Sequence, residues 1–243
     1  MEIIKKKTNA SCFCDKKKIQ KNKIIYKLKP YGETDFRIRK QNYFRVYHQC
    51  TNCNHYFASH NFDLEKLYQK NYSKNTYGSQ KKIRNTFEKI INLPLYKSDN
   101  KNRIKRILKI VKKYNKCLDV GSGLGIFPFE LKKNSINVDC IEKDNNLKRH
   151  LKNLKLKIKS NEIFHKNSKI KYDFISMNKV LEHIQKPNIF IDKFLKLLKN
   201  NGILYLEVPS IKALKDKLGS KREEFFIEHF HVFSKKSVTL FLK

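Results

Sequence analysis

Three glycines at alternate positions follow an acid, and this arrangement is typical of a site that binds a nucleotide-like ligand. Gly121, Gly123 and Gly125 lie in the segment C-L-D-V-G-S-G-L-G-I-F, with Asp119 two residues before the first of them. Glycine lets the backbone turn sharply and lets a ligand lie against it without a clash with Cβ. A second apolar run ends in Glu142, about 20 residues later, where an acid meets ribose hydroxyls.

The acid in front of the turn narrows the kind of ligand. A carboxylate at Asp119 would repel a pyrophosphate, but it suits a ligand that carries an amino group and a ribose. The nicotinamide fingerprint G-x-G-x-x-G also has its third glycine one residue later than Gly125. A glycine turn can in addition be purely structural, and the turn by itself leaves that alternative open.

Four cysteines in the amino-terminal third form two close pairs, a spacing that indicates a zinc site. Cys12 and Cys14 make a C-x-C pair, and Cys50 and Cys53 make a C-x-x-C pair in Y-H-Q-C-T-N-C-N-H-Y-F. Four thiolates in two pairs can bind one tetrahedral Zn²⁺. We therefore expect a structural Zn²⁺ at these four residues.

Alternatives to this ligand set stay open. Because C-x-C replaces the usual C-x-x-C, a histidine such as His48 or His55 could supply one ligand instead. The cysteines could also be unrelated reduced thiols, although their clustering argues against this. Cys117 and Cys140 stand alone in apolar runs and are expected to pack in the core. Disulfides are disfavoured, since the start M-E-I-I-K-K-K-T-N-A lacks the apolar segment of an export signal.

The glycine segment resembles motif I of class I S-adenosylmethionine-dependent methyltransferases, and later segments resemble that family in the same order. N-K-V-L-E-H-I-Q-K-P at 178–187 is similar to the segment after the fourth strand, and L-L-K-N-N-G-I-L-Y-L-E-V-P at 197–209 to the fifth-strand region. The resemblance covers residues 101–243 and implies S-adenosylmethionine as cofactor. The residues it implies for cofactor binding are Asp119, Gly121, Ser122, Gly123, Gly125, Glu142 and Asn178.

Within this resemblance each part of the cofactor has an expected partner. The glycines are expected to contact its methionine part, with Asp119 near the amino group. Glu142 is expected to accept hydrogen bonds from both ribose hydroxyls.

A cysteine knuckle ahead of such a core resembles bacterial methyltransferases of sugar, surface-polysaccharide and natural-product biosynthesis that carry an amino-terminal zinc module. This resemblance implies a small-molecule acceptor, most simply a nucleotide- or lipid-linked sugar in surface polysaccharide biosynthesis, methylated on carbon or oxygen. It also implies three parts of the chain: a zinc-binding module at 1–62, a helical connector at 63–100 and the methyltransferase core at 101–243.

The segment F-F-I-E-H-F-H-V-F-S near the carboxyl end resembles an E-H-x-x-x-F-S segment that lines the substrate site in that group. The resemblance implies His229 as the base, oriented by Glu228, because an unperturbed histidine titrates near neutrality. His183 in V-L-E-H is the second choice. The sugar C-methyltransferases have a tyrosine where this chain has Phe226, and this difference argues against methylation on carbon. A histidine that only packs under a helix start remains the structural alternative.

The elements that must position these residues predict an α/β fold with a doubly wound, mostly parallel sheet of the Rossmann-like methyltransferase type. Short apolar runs predict strands at 117–120, 138–142, 171–177 and 203–208. Apolar residues at helical spacing predict helices at Arg103–Tyr114 and Ile189–Leu198, and Asn200–Gly202 is expected to form a turn. The family usually adds two strands after the E-H-x-x-x-F-S segment. The sequence stops at Lys243, so these strands are expected to be missing and the core truncated.

Composition favours some classes of partner over others but does not identify one. The formal charge of +33 favours anionic partners, yet the lysines are scattered along the chain together with other residues of A/T-rich codons. Nucleic acid is therefore not the favoured partner, although an RNA methyltransferase stays an alternative, as does a truncated cofactor-binding protein without turnover. The [D/N/S]-P-P-[F/Y] motif of exocyclic-amine methylases is absent. The sequence contains no run of 18 apolar residues, so we expect no membrane span. A cytoplasmic location is expected.

Overall fold

The computed structural model describes residues 8–9, 11–14, 23–36, 38–39, 42–60, 76–112, 115–165 and 169–242. The described residues form two compact units, one within the ranges 1–70, 179–191 and 207–243, and one within 71–178 and 192–206. These units differ from the contiguous boundaries that the sequence suggested. The carboxyl-terminal segment, expected in the core, is part of the first unit. Residues 61–75, where the expected module meets the expected connector, lie outside the described residues.

The strands follow one another in chain order as β1 Thr8–Asn9, β2 Lys23–Tyr26, β3 Arg45–Gln49, β4 Tyr56–His60, β5 Lys116–Val120, β6 Asn137–Ile141, β7 Lys157–Ile158, β8 Tyr172–Asn178, β9 Leu198–Glu207 and β10 His231–Val232. The α-helices are α1 Gln80–Ile91, α2 Asp99–Ile107, α3 Ile126–Lys133, α4 Asn145–Asn153, α5 Pro187–Leu195 and α6 Lys235–Phe241. Short 3₁₀ turns include Leu181–His183 and Glu223–Phe225. Among the described residues, no helix is long and apolar enough to cross a membrane.

The second unit is built on a five-stranded sheet in the order β7-β6-β5-β8-β9. The central strand β5 pairs in parallel with β6 and β8, and β6 pairs in parallel with β7. Its core is apolar, because Cys117 of β5, Val138 of β6 and Phe174 of β8 pack with Phe127 and Leu131 of α3. The predicted α/β class with a mostly parallel sheet is confirmed, and β5, β6 and β8 lie within one residue of their predicted bounds.

One predicted helix has different bounds. The structure places α2 at Asp99–Ile107, where the sequence predicted Arg103–Tyr114. The helix begins early because the side chain of Ser98 caps it and accepts a hydrogen bond from the backbone of Lys101 (3.2 Å). Val111 is buried in the turn after the helix, so its apolar side chain matched the helical spacing without being helical. Tyr114 lies outside the described residues.

The predicted turn at Asn200–Gly202 lies inside β9. The preceding helix α5 ends at Leu195, and the strand begins at Leu198, which the sequence had assigned to the helix. Asn201 has a φ of +63°, a left-handed conformation that asparagine tolerates better than most residues. The sharp change of direction is therefore present, but as a local kink in a strand.

The first unit is an antiparallel sheet in the order β1-β4-β3-β2, with β10 also paired to β4. His231 of β10 lies opposite Phe57 of β4, so the carboxyl-terminal segment is folded onto the amino-terminal strands. A second link joins the hydroxyl of Ser234, which caps α6, to the carbonyl of Cys53. The segment that carries the Glu-His pair therefore belongs to the same unit as the cysteines.

Candidate functional site

The glycine turn of the second unit has the backbone that the sequence predicted. Gly121, Gly123 and Gly125 have φ angles of +69°, +53° and +74°, a left-handed region that glycine adopts more readily than any other residue. The backbone N–H groups of Gly121 and Ser122 both donate to the carbonyl of Ile141, at 2.8 and 3.1 Å. The turn is therefore fixed to the end of β6.

Two of these glycines serve different purposes. A Cβ on Gly125 would lie 2.5 Å from Cδ2 of Leu151, so this position is closed by packing at the start of α3. Among the described residues, a Cβ on Gly123 would meet nothing nearer than the carbonyl oxygen of Gly121, at 4.0 Å. The turn is thus packed on one side and has room for a ligand beside Gly123.

Glu142 stands at the end of β6, and its carboxylate is already bonded to the turn. One oxygen, Oε2, accepts from the backbone of Gly123 (2.8 Å), and Oε1 accepts from Lys143 (2.7 Å) and Asp144 (2.9 Å). Burial nevertheless raises the pKa of Glu142. A carboxylate has about four lone-pair sites, so three are used and Oε2 keeps one. One ribose hydroxyl could bond without rearrangement, and a second would have to displace a backbone N–H.

Asp119 lies at the end of β5 and is almost completely buried. Its Oδ1 accepts from the hydroxyl of Ser176 (2.7 Å) and from the amide of Asn178 (3.3 Å). Burial raises the pKa of Asp119 to about 6. The amide oxygen of Asn178 is buried and has no hydrogen-bond partner among the described residues. An orphaned acceptor beside a carboxylate fits a ligand that carries an ammonium group, which the sequence predicted for Asp119.

The four predicted zinc ligands converge in the first unit. The sulfur of Cys14 lies 3.1, 3.4 and 3.3 Å from those of Cys12, Cys50 and Cys53, and that of Cys12 lies 3.4 Å from Cys53. These separations exceed a disulfide bond of about 2.05 Å. They approach the edge of about 3.8 Å that Zn–S bonds of about 2.3 Å give a tetrahedron. The four thiols therefore fit a zinc ion.

The histidines considered as alternative ligands are not part of this cluster. Among the described residues, only the four cysteines meet as metal ligands here. His55 instead lies with its Nε2 3.0 Å from Nδ1 of His231. Asn54, directly after the second pair, has a φ of +57° and donates its N–H to the carbonyl of Cys50 (2.9 Å), which closes the knuckle.

The predicted Glu228–His229 pair is present, but Glu228 does not orient His229. The Nδ1 of His229 lies 3.0 Å from the backbone carbonyl of Glu224, while the carboxylate of Glu228 accepts from the hydroxyl of Thr34 (2.7 Å). Consecutive residues in this turn point apart, so a neighbour in sequence is not the partner. Burial lowers the pKa of His229 to about 4 and raises that of Glu228.

His183 and His229 lie together in the first unit, although they are far apart in the sequence. Their ring centroids are 4.6 Å apart, and Nδ1 of His183 lies 3.0 Å from the carbonyl of Glu228. The neighbouring Glu182 completes a cluster in which one ligand atom of each side chain lies within 4.8 Å of the others. Burial lowers the pKa of His183 to about 3 and raises that of Glu182 to about 8. Sequence reasoning quoted V-L-E-H but gave Glu182 no role.

A buried ion pair that the sequence analysis missed supports this segment. Arg45 and Glu33 are 2.7 Å apart, with side chains 0% and 1% exposed. Glu33 also accepts from the backbone of Ile227 (2.7 Å), and Arg45 donates to the carbonyl of Phe225. The pair thus joins β3 to the residues before Glu228. The sequence signal that could have indicated this ion pair is an arginine inside the short strand R-V-Y-H-Q, because a buried arginine needs an acidic partner.

A model of the methyltransferase domain family matches residues 95–243, more than half of the chain. No curated protein sequence matches this chain. Among solved structures, the plantazolicin methyltransferase BpumL in complex with SAH is 17% identical, with a TM-score of 0.46 over 67% of this chain and 76% of that chain.

Two further solved structures are comparably similar. The PH0226 protein from Pyrococcus horikoshii OT3 is 20% identical, with a TM-score of 0.48 over 62% of this chain and 82% of that chain. An S-adenosylmethionine-dependent methyltransferase from Clostridium acetobutylicum is 16% identical, with a TM-score of 0.41 over 57% and 61%. The match of the methyltransferase domain model over residues 95–243 assigns the chain to its family.

Proposed function

The chain belongs to the methyltransferase domain family of class I S-adenosylmethionine-dependent enzymes, and on that basis we propose that its acceptor is a nucleotide- or lipid-linked sugar. One observation carries this proposal. The carboxyl-terminal segment with Glu228 and His229 is folded onto the amino-terminal strands, with β10 paired to β4 and Ser234 bonded to Cys53. The two features that resemble polysaccharide-type methyltransferases are thus parts of one structural unit.

We propose that the cofactor binds at the glycine turn of the second unit. The open side of Gly123, the carboxylate of Asp119 and the orphaned oxygen of Asn178 support the methionine part, and Glu142 supports the ribose. When bound, S-adenosylmethionine supplies a methyl group that its sulfonium already makes electrophilic. The protein must then align the acceptor and remove one proton from it.

Release of the acceptor proton is assigned to the histidine pair, with His229 first and His183 second. Both rings are held by backbone carbonyls, so their orientation does not depend on a flexible side chain. The carboxylate of Glu228 accepts instead from Thr34, so we place Glu228 in support of the segment. Methylation of a sugar oxygen suits this arrangement, because only one hydroxyl proton has to leave.

The role proposed for Cys12, Cys14, Cys50 and Cys53 is structural. All four sulfurs would be used as Zn²⁺ ligands, which leaves no open position for chemistry. A small antiparallel unit has little core of its own, so a metal ion would supply much of its stability.

The proposal is tested by turnover of S-adenosylmethionine against a panel of nucleotide-sugars, with structured RNA as the competing acceptor. We expect methylation of a nucleotide-sugar and its loss in the variant His229→Ala. His165→Ala, a change of an exposed histidine in the second unit, is the matched control and should leave the rate unchanged. Methylation of RNA with no small acceptor used would overturn the sugar proposal, and a wild-type rate in His229→Ala would remove that residue from the site.

A further inference from the structure

Glu182, His183 and His229 bring together three side chains that ligate metals, well separated from the four cysteines in sequence. One ligand atom from each lies within 4.8 Å of the other two. A backbone hydrogen bond of 2.6 Å, from the N–H of Phe230 to the carbonyl of Glu182, joins the two segments that supply them. The phenol of Tyr47 donates to the carbonyl of His229 (2.5 Å) and fixes that segment again. The cluster is therefore held by the backbone and does not depend on chance side-chain positions.

The hydrogen bonds of the two rings decide which nitrogen can act as a ligand. A carbonyl oxygen only accepts, so Nδ1 of His183 and Nδ1 of His229 carry their protons and donate them to Glu228 and Glu224. In a neutral ring the lone pair is then on Nε2. Histidines that ligate metals nearly always donate their other ring N–H to a carbonyl or a carboxylate in this way.

Glu182 is the residue whose ionised form a bound cation would stabilise. Its side chain is 0% exposed, and among the described residues neither carboxylate oxygen has a hydrogen-bond partner on another residue. A buried carboxylate without a partner is costly, and two imidazoles with lone pairs on Nε2 offer it no proton. The cluster therefore presents three electron-pair donors to one another, an arrangement that a positive ion between them stabilises.

We infer that Glu182, His183 and His229 bind one divalent transition-metal ion through two imidazole nitrogens and one carboxylate oxygen. This donor set is that of metal sites with open coordination positions. Ligand bonds of about 2.0–2.2 Å place the ligand atoms about 3.4 Å apart at a tetrahedral ion, so the side chains need only a small contraction. The four cysteines form a separate site with softer ligands.

The task of this ion rests on the proposed function, since an open position would take the acceptor oxygen. Coordination lowers the pKa of a hydroxyl, so the O–H bond breaks and the proton leaves to solvent. The acceptor oxygen forms a bond to the methyl carbon while the C–S bond breaks, and that electron pair stays on sulfur. In this form of the reaction His229 is a metal ligand. It does not accept the proton itself, because the proton leaves to solvent.

The test is metal content per chain, which needs no acceptor. The full-length protein is equilibrated with excess Mn²⁺, unbound ions are removed, and all bound transition metals are counted together. Mn²⁺ is the probe because it prefers nitrogen and oxygen ligands to thiolates. We expect the wild type to hold one equivalent more than E182Q, and its Mn²⁺ affinity to exceed that of the variant by at least about 100-fold, since even an outer-sphere change costs about 10–100-fold.

Two controls keep this result tied to the site. Glu223→Gln removes an exposed carboxylate of the same unit and should keep the wild-type metal content. Pulsed electron paramagnetic resonance should show nitrogen coupling to Mn²⁺ in the wild type and lose it in the double variant His183→Ala and His229→Ala. Glutamine has nearly the shape of glutamate and carries no charge, so E182Q is expected to fold, and its circular dichroism spectrum checks that it has.

The outcomes separate this inference from the proposed function. Equal metal content in wild type and E182Q, or bound Mn²⁺ without nitrogen coupling, would overturn the metal site even if a sugar is methylated. A full extra equivalent with nitrogen coupling would support the site even if every sugar fails as an acceptor.

Discussion

The glycine turn of the second unit and the Glu182–His183–His229 cluster of the first unit satisfy their polar groups in opposite ways. In the turn, the carboxylate of Glu142 accepts three backbone hydrogen bonds from residues close to it in sequence. In the cluster, Glu182 has no partner on another of the described residues. The turn is thus complete as a piece of backbone before any ligand arrives, whereas we propose that the cluster is completed by a cation.

The two regions also differ in how far along the chain their supports lie. The turn is built from residues 119–142, while Glu33 reaches Ile227 across 194 positions to hold the segment before His229. Long-range supports bring a large loss of chain entropy, so they depend on strong links such as a metal ion or a buried ion pair. We therefore expect substitutions in the first unit to reduce folding and substitutions in the turn to reduce ligand affinity.

The largest effect is expected at the cysteines. Cys50→Ser combined with Cys53→Ser should abolish zinc binding and unfold the first unit, because structural zinc contributes about 10–16 kcal/mol in small zinc-folded modules. Metal analysis of protein purified without added zinc should give near one equivalent at this site in the wild type. Cys140→Ala, in the core of the second unit, should keep that zinc. Full retention of zinc by the double variant would reject the site.

The next largest effect is expected at the buried ion pair. Arg45→Met should lower the free energy of unfolding by about 3–5 kcal/mol, because it leaves Glu33 as an unpaired buried charge. Arg84→Met breaks an exposed pair with Glu88 and should cost about 0.5 kcal/mol or less. Urea unfolding measures both. If Arg45→Met and Arg84→Met lowered the free energy of unfolding by a similar small amount, the buried pair would contribute no more than an ordinary surface pair.

A smaller effect, on ligand affinity, is expected at Glu142. Glu142→Ala should weaken S-adenosylmethionine binding by about 1.5–3 kcal/mol, because a hydrogen-bonded acceptor for the ribose is lost. Calorimetry gives the affinity directly, with Glu162→Ala as an exposed control in the same unit. Unchanged affinity would contradict the assignment. A large loss of stability with normal affinity in the folded fraction would mean that Glu142 only supports the turn.

The smallest effect is a pH dependence of cofactor affinity at Asp119. Burial raises the pKa of this carboxyl to about 6, so it is ionised at neutral pH and becomes protonated as the pH falls through that value. An ammonium beside it requires the charged form. Affinity should therefore be about tenfold weaker at pH 5 than at pH 7, since one pH unit below the pKa corresponds to about 1.4 kcal/mol. Asp119→Asn should bind weakly at both pH values, and a flat wild-type profile would place the amino group elsewhere.

The sequence by itself determined the parts that depend on local chemistry. The positive φ angles of the three glycines follow from the conformational freedom of that residue. The parallel strands β5, β6 and β8 follow from short apolar runs, and the meeting of the four cysteines follows from their spacing in two close pairs. The start of α2 was predicted wrongly although its signal is local, because the prediction followed the apolar spacing that continues to Val111 and did not use the Ser98 cap.

Only the tertiary structure decided which distant residues meet. No spacing in the sequence places Glu33 against Ile227, β10 beside β4, or His183 beside His229. It also decided that the Glu224 carbonyl, and not the adjacent Glu228 carboxylate, holds His229. The physical reason is that a short-range pattern fixes backbone conformation, while the partner of a buried polar group depends on which segments pack together, and that is settled by the burial of the whole unit.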